Sequence, residues 1–248
     1  MLRPIAIPGL FVTATDTNVG KTVIAGAIAD HFRRRGRRVA VSKPLATGAV
    51  HRREGWVSED AEFLASCADA DHPLDVICPV RYAEPLAPAV AADRAGEPVD
   101  WDAVQRSLDA MTLGTPTTPP ADVIVVEGVG GVMVPLDAKH TVLDLAKWLG
   151  LPAVVVARAG LGTINHTLLT VDALRRAGVK VAGVVINRYP ADTPPTAEET
   201  SPRYIEKFGK VPVLAIVPDE PGLAHPPIPA NIAAAIDLVD WESLAAPR

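Results

Sequence analysis

The sequence predicts an α/β fold, a doubly wound and mostly parallel sheet with helices on both faces, and three observations carry that prediction. Short β-branched runs without polar alternation recur along the chain, as strands covered on both faces require. Longer amphipathic segments separate them, so strand and helix alternate and parallel crossovers follow. A glycine-bearing loop ending in Gly20-Lys21-Thr22 joins the first run to the first helical segment.

Taken in order, the strand-like runs fall at 10–13, 38–42, 123–126, 153–157, 181–186 and 213–216. The helical segments fall at 21–35, 59–68, 102–111, 142–149, 164–177, 202–208 and 232–244. Gly36 and Gly178 stand just past two of these helices, where a left-handed residue ends the turn. Two stretches, 46–57 and 112–121, are rich in Gly, Pro, Thr or charge and read as irregular. The first follows a strand directly and is expected near the site; the second is expected on the surface.

With 248 residues, 48% of them hydrophobic, the chain can bury one sizeable core, and residues 1–248 are expected to form a single domain. A formal net charge of −5 and one basic block, Arg33 to Arg38, argue against a nucleic-acid partner. That block reads as solvated charge at the negative pole of a helix. Two cysteines, Cys67 and Cys78, are too few for a disulfide framework and lack zinc spacing, so both are expected as buried thiols. The opening MLRPIAIPGLFVTAT reads as a first strand rather than a signal peptide. Apolar runs such as VIVV fall far short of the roughly 20 residues that span a bilayer, so no membrane association and a cytoplasmic location are expected.

The segment LFVTATDTNVGKTVIAGAIADHF sets a strand, a loop and a helix in the order a P-loop needs. Backbone N–H groups of Asp16, Thr17, Asn18, Val19 and Gly20 would face phosphate oxygens at the positive pole of the helix. Lys21 would reach the β- and γ-phosphates of ATP, and the Thr22 hydroxyl would ligate Mg²⁺. The first glycine of GxxxxGK[ST] is replaced by Thr15, with Ala14 before it. In ADVIVVEGVGG, an apolar run delivers Glu127 at a strand end, like the acidic strand that accompanies a P-loop. Asp60, in SEDAEFLA, is a second carboxylate. Thr22, Asp60 and Glu127 therefore form a hard-oxygen set of the kind that suits Mg²⁺.

Together, ATDTNVGKT, KPLATG, EGVGG and GTINHTLLT resemble dethiobiotin synthetase, in that family's order, from Phe11 to about Pro218. The resemblance implies an ATP- and Mg²⁺-dependent enzyme that joins CO₂ to 7,8-diaminopelargonate through a carbamate and a carbamic-phosphoric anhydride. It puts Lys43 beside the carbamate and transferring phosphoryl group, and Thr47, where the family commonly has serine, on the substrate together with Gly130. It implies that Thr163 and Asn165, at a helix start, take the substrate's carboxylate tail across a homodimer interface, and that Asn187 contacts adenine. It also makes Ala14 the replacement for the family's own first loop glycine.

The competing reading is a ParA- or MinD-like ATPase switch, whose loop carries a second lysine; residues 15–19 here contain none. No NKxD or TKxD stretch reads guanine.

Overall fold

In the computed structural model, residues 2–53, 55–190, 192, 195–223 and 225–246 are described. The chain begins with β1 (Gly9–Ala14), α1 (Lys21–Arg34) and β2 (Val39–Ser42). Three short strands, β3 (Leu45–Thr47), β4 (Val50–Arg52) and β5 (Gly55–Val57), precede helices α2 (Glu59–Ala68) and α3 (Leu74–Ile77). Next come β6 (Val80–Tyr82), α4 (Pro88–Ala95), α5 (Trp101–Leu113), β7 (Val123–Gly131) and α6 (Val142–Leu149). The remainder is β8 (Ala153–Arg158), α7 (Thr163–Arg176), β9 (Val181–Tyr189), α8 (Thr196–Gly209), β10 (Val213–Pro218), α9 (Ala230–Asp237) and α10 (Trp241–Ala245).

The six expected strands form one parallel sheet in the order β10-β9-β8-β1-β7-β2. Successive side chains of a strand point to opposite faces, and here both faces are covered. Leu10, Val12 and Ala14 join Ile24, Ile28 and Phe32 of α1 and Trp241 of α10 in one buried cluster. Phe11 turns the other way, toward Leu108 of α5, Leu145 of α6, Val171 of α7 and Ile205 of α8. That is why these strands lack polar alternation: each exchanges water for hydrocarbon on both sides, at about 25 cal/mol per Å² of apolar surface buried.

Thr15 follows β1 and Lys43 follows β2, while Gly128 to Gly131 and Arg188 lie among the last residues of β7 and β9, so the candidate residues collect along one edge of the sheet. Gly36 and Gly178 take left-handed geometry, with φ of 76° and 81°, as expected past α1 and α7. Cys67 and Cys78 are buried free thiols. Among the described residues, no helix is long and apolar enough to cross a membrane.

Several local expectations need correction. The stretch 46–57 is not irregular: it holds the end of β3, which pairs with β6, and the antiparallel β4–β5 hairpin. These three-residue strands are too short for a periodic signal. Helices α3 and α4 were not anticipated either. Helix α8 starts six residues before the expected 202, at Thr196, and carries Pro202 inside it. Proline lacks the N–H that would reach back to Glu198, and the Ser201 hydroxyl donates to that carbonyl instead, at 3.3 Å. The expected helix at 232–244 is two helices, because the Asp240 carboxylate accepts from the Ser243 N–H at 3.1 Å and starts α10 afresh. Nor is the arginine block merely solvated. Arg33 and Arg34 pair with Asp30, Arg34 also with Asp237, Arg37 with Glu242, and Arg38 with Asp122.

Candidate active site

Gly20 ends the loop after β1 with φ 91°, and α1 begins at Lys21 with no side chain capping its first turn. Its leading N–H groups are thus left for an external acceptor, at the pole that favours anions. Gly20 is required twice over. A side chain would strain its left-handed backbone, and a Cβ there would stand 2.1 Å from Asn187 Nδ2. Asn187 is buried within β9 rather than at a strand end, and its Nδ2 donates to the Val19 carbonyl at 2.9 Å, tying the loop to the sheet. Asn18 also has positive φ, 58°, which asparagine tolerates better than most residues. Asp16, Thr17 and Asn18 are exposed, and Asp16 Oδ1 accepts from the Thr17 N–H at 2.7 Å. Ala14, in place of a loop glycine, simply ends β1 beside Val156 without positive φ.

Lys21 is buried and donates from Nζ to the Asp16 carbonyl at 3.3 Å. Burial pushes its pKa below the usual lysine value, against the opposing pull of Glu127. One helix position on, the Thr22 hydroxyl lies 2.9 Å from Glu127 Oε1 and 3.0 Å from Asp60 Oδ1. A hydroxyl has one proton, so it cannot fully satisfy two carboxylates. Glu127 Oε2 is buried with no hydrogen-bond partner among the described residues. Two convergent carboxylates, a hydroxyl and an orphaned buried oxygen are the hard-donor chemistry that suits Mg²⁺.

Glu127 lies inside β7, not at its end, because the strand runs on to Gly131 with a register shift against β1 between Val12 and Ala14. Asp60 sits in the first turn of α2, whose N-terminus is capped by Ser58, so it is both a helix-start acid and a site carboxylate. Lys43, straight after β2, spends all three ammonium donors: Glu127 Oε1 at 2.7 Å, Asp60 Oδ2 at 2.8 Å and the Gly128 carbonyl at 3.2 Å. Burial opposes its charge, but Glu127 and Asp60 together hold its pKa above the usual lysine value. For Asp60, burial is outweighed by Lys43 and Thr22, and the carboxyl is held below its usual value. For Glu127, burial dominates and pushes the carboxyl up.

These groups line a cleft of about 810 Å³, which also includes Thr47, Gly48, Gly130, Val134 and the turn from Pro85 to Pro88. Gly130 has φ 59°, and a Cβ there would press on Val134 at 2.7 Å. A second cleft of about 410 Å³ adjoins it, lined by Val23, Asn187, Pro218 to Leu223 and Ile232, and shares Gly20 and Arg188 with the first. Thr163 and Asn165 are not brought to either cleft. They open α7, where Thr163 is buried with its hydroxyl unpartnered among the described residues and Asn165 is exposed.

Sequence reasoning missed the turn from Pro85 to Pro88, which carries no local signal, and Arg188. The latter had one: a charged residue just past Asn187, which closes the buried run 182–186.

A parallel sheet whose first strand feeds a Gly-Lys-Thr turn at a helix start is the fold of the P-loop nucleotide-binding proteins. A family model described as an AAA domain matches residues 8–227. The ATP-dependent dethiobiotin synthetase BioD of Anaeromyxobacter sp. (strain K) is 43% identical over 217 residues, covering 88% of this chain and 92% of that protein. The same enzyme from Thermodesulfovibrio yellowstonii is 36% identical over 217 residues, covering 85% of this chain and 88% of its own. The chain belongs to the dethiobiotin synthetase family, and it is an ATP-dependent cyclo-ligase. Among solved structures, the MinD cell division protein of Aquifex aeolicus aligns with TM-score 0.56 at 15% identity, over 97% of this chain and 98% of that one. The cell division ATPase MinD of Pyrococcus furiosus gives 0.53 at 20% identity, over 97% and 100%. At such identity the likeness speaks for the fold alone.

Proposed function

We propose that residues 1–248 act as one synthetase domain that carboxylates 7,8-diaminopelargonate with CO₂ and closes the ureido ring with ATP. The observation that carries this reading is the cluster of Lys43, Thr22, Asp60 and Glu127 beside Lys21 in one cleft. In the first step one substrate amine bonds to CO₂ and loses a proton, giving a carbamate. A carbamate oxygen then displaces ADP from the γ-phosphorus, and the second amine attacks the carbonyl carbon and expels phosphate.

No side-chain nucleophile is needed, so the protein's task is to place reactants and offset charge. The open N–H groups of α1 and the Lys21 ammonium receive the phosphates. Lys43 supplies the cation where carbamate and γ-phosphate, both anionic, must approach. Thr22, Asp60 and Glu127 would hold Mg²⁺, which supplies positive charge to the phosphate oxygens. Thr47 and Gly130 border the diamine, and Asn187 borders the base in the second cleft. Thr163 and Asn165, remote from their own cleft, are assigned to the carboxylate tail of substrate bound to a second copy, which makes the enzyme a homodimer. The exposed Leu161 and Leu169 on either side support an interface there.

Incubation with the diamine, bicarbonate, Mg²⁺ and ATP should yield ADP and a product heavier than the diamine by one CO₂ less one water. ATP turnover indifferent to the diamine would instead favour a switch ATPase of the MinD kind.

A further inference from the structure

At the amino ends of β8 and β9 lies a cavity of about 400 Å³ that belongs to neither cleft. The candidate active site sits at the carboxyl ends of the sheet's strands, and a six-residue strand such as β8 puts roughly 20 Å between the two. The cavity floor is apolar: Leu151 and Val179 come from the buried core, and Ile5 and Ile7 pack against it. Its volume falls in the range of small-molecule sites, which are mostly apolar with a few polar groups that fix orientation. Here those groups are Lys147 and Lys180, both exposed. Among the described residues, no aspartate or glutamate lines the cavity and neither ammonium is in an ion pair. Arg33, Arg34, Arg37 and Arg38, by contrast, each have a carboxylate partner.

The sign of the site is a contest between these lysines and the helix ends beside them. Helices α6 and α7 end at the cavity, and α10, only five residues long, ends there too. Each helix end carries at most about half a negative charge, felt only within its last turn. Two full ammonium charges against those poles leave the site positive, by about one charge at most. Such a site favours a monoanion over a cation. It also disfavours a phosphate dianion, which finds no helix N-terminus among the lining residues to cradle it. We propose that this cavity binds a small monocarboxylate with an apolar body, its hydrocarbon against Leu151 and Val179 and its carboxylate held by Lys147 and Lys180.

Saturation-transfer NMR titration of the full chain with octanoate, octylamine, octan-1-ol and inorganic phosphate tests this, with the diamine present in excess to occupy the substrate cleft. Octanoate, with about ten non-hydrogen atoms, should bind with Kd about 1 mM, and the other three at least about 10-fold more weakly. Replacing both lysines, Lys147→Met with Lys180→Met, keeps the apolar stems and removes the charges, so it should weaken octanoate about 10-fold and leave octan-1-ol unchanged. Ala6→Trp, at an exposed lining position, should block octanoate by filling the cavity. Octylamine binding as tightly as octanoate would show that the helix poles outweigh the lysines, and equal binding of octan-1-ol would show an apolar hollow without charge selection. Tighter binding of phosphate would change the ligand class, and octanoate affinity unmoved by the double methionine variant would place the carboxylate elsewhere. Any of these, or no octanoate binding by the wild-type chain, overturns the proposal.

Discussion

Replacing Lys43 with methionine should do two separable kinds of damage. Lys43 and Glu127 have side chains only 3% and 1% exposed, whereas the Asp60 side chain is 46% exposed. Water can solvate Asp60 when its partner is lost, but it cannot reach Glu127. Stranding a buried charge in this way costs about 3–5 kcal/mol, and most of it should fall on Glu127. Urea unfolding at pH 7, followed by tryptophan fluorescence, should show Lys43→Met less stable by that amount. Adding Glu127→Gln should restore most of the loss, because a neutral amide needs no counter-charge, while adding Asp60→Asn should restore little. Turnover should vanish in Lys43→Met and stay absent in the double variant, with ATP affinity in Lys43→Met within a few-fold of wild type because Lys21 still meets the phosphates. A Lys43→Met variant within about 1 kcal/mol of the parent, or a Glu127→Gln addition that restores nothing, would refute the pairing as the source of the penalty.

Three further outcomes are expected. Gly20→Ala should lower stability by about 2–5 kcal/mol, the sum of left-handed strain and a displaced Asn187 hydrogen bond, and an unchanged thermal midpoint would contradict the contact. Asn165→Ala should raise KM for the diamine while leaving KM for ATP alone, and an unaltered diamine KM would remove its assignment to the tail. Burial works against ionisation of Asp137, but hydrogen bonds from His140, the Lys139 N–H and Trp101 hold its pKa down at about 2, from an ordinary 3.8. Because the folded-state value is the lower one, this stabilisation is full above about pH 4 and is lost as pH falls toward 2. Asp137→Asn should flatten the pH dependence of the urea midpoint in that window, and parallel curves would disprove it.

The sheet was legible because its strands are unusual: buried on both faces, they announce themselves as unbroken β-branched runs at 123–126 and 153–157. Helices 59–68 and 142–149 matched residue for residue, since apolar periodicity and end residues agree there. The phosphate turn and Glu127 were legible by local context, whereas Lys43, Thr47 and Asn187 became so through the resemblance of whole motifs. What stayed hidden depends on distance in sequence. Nothing near Lys43 says that its donors go to Glu127, 84 positions on, and Gly128, 85 positions on. Nothing near Gly20 says that Asn187 closes over it, and the β3 and β6 pair exists only because two remote triplets meet. The split between α9 and α10 had a signal in Asp240, but apolar periodicity masked it.

The ties from the arginine block to Asp237 and Glu242 change how the end of the chain should be regarded. The family match stops at residue 227, before α9 and α10. Yet Ile232, Ile236 and Trp241 are packed into the same cluster as Ile28 and Phe32 of α1. The exposed ion pairs add little by themselves, but the indole of Trp241 is fully enclosed and anchors the segment. Trimming the protein to the matched span would strip one wall from the helix whose opposite tip is proposed to receive the phosphates, so a shortened version would forfeit the footing of the Gly20-Lys21-Thr22 turn.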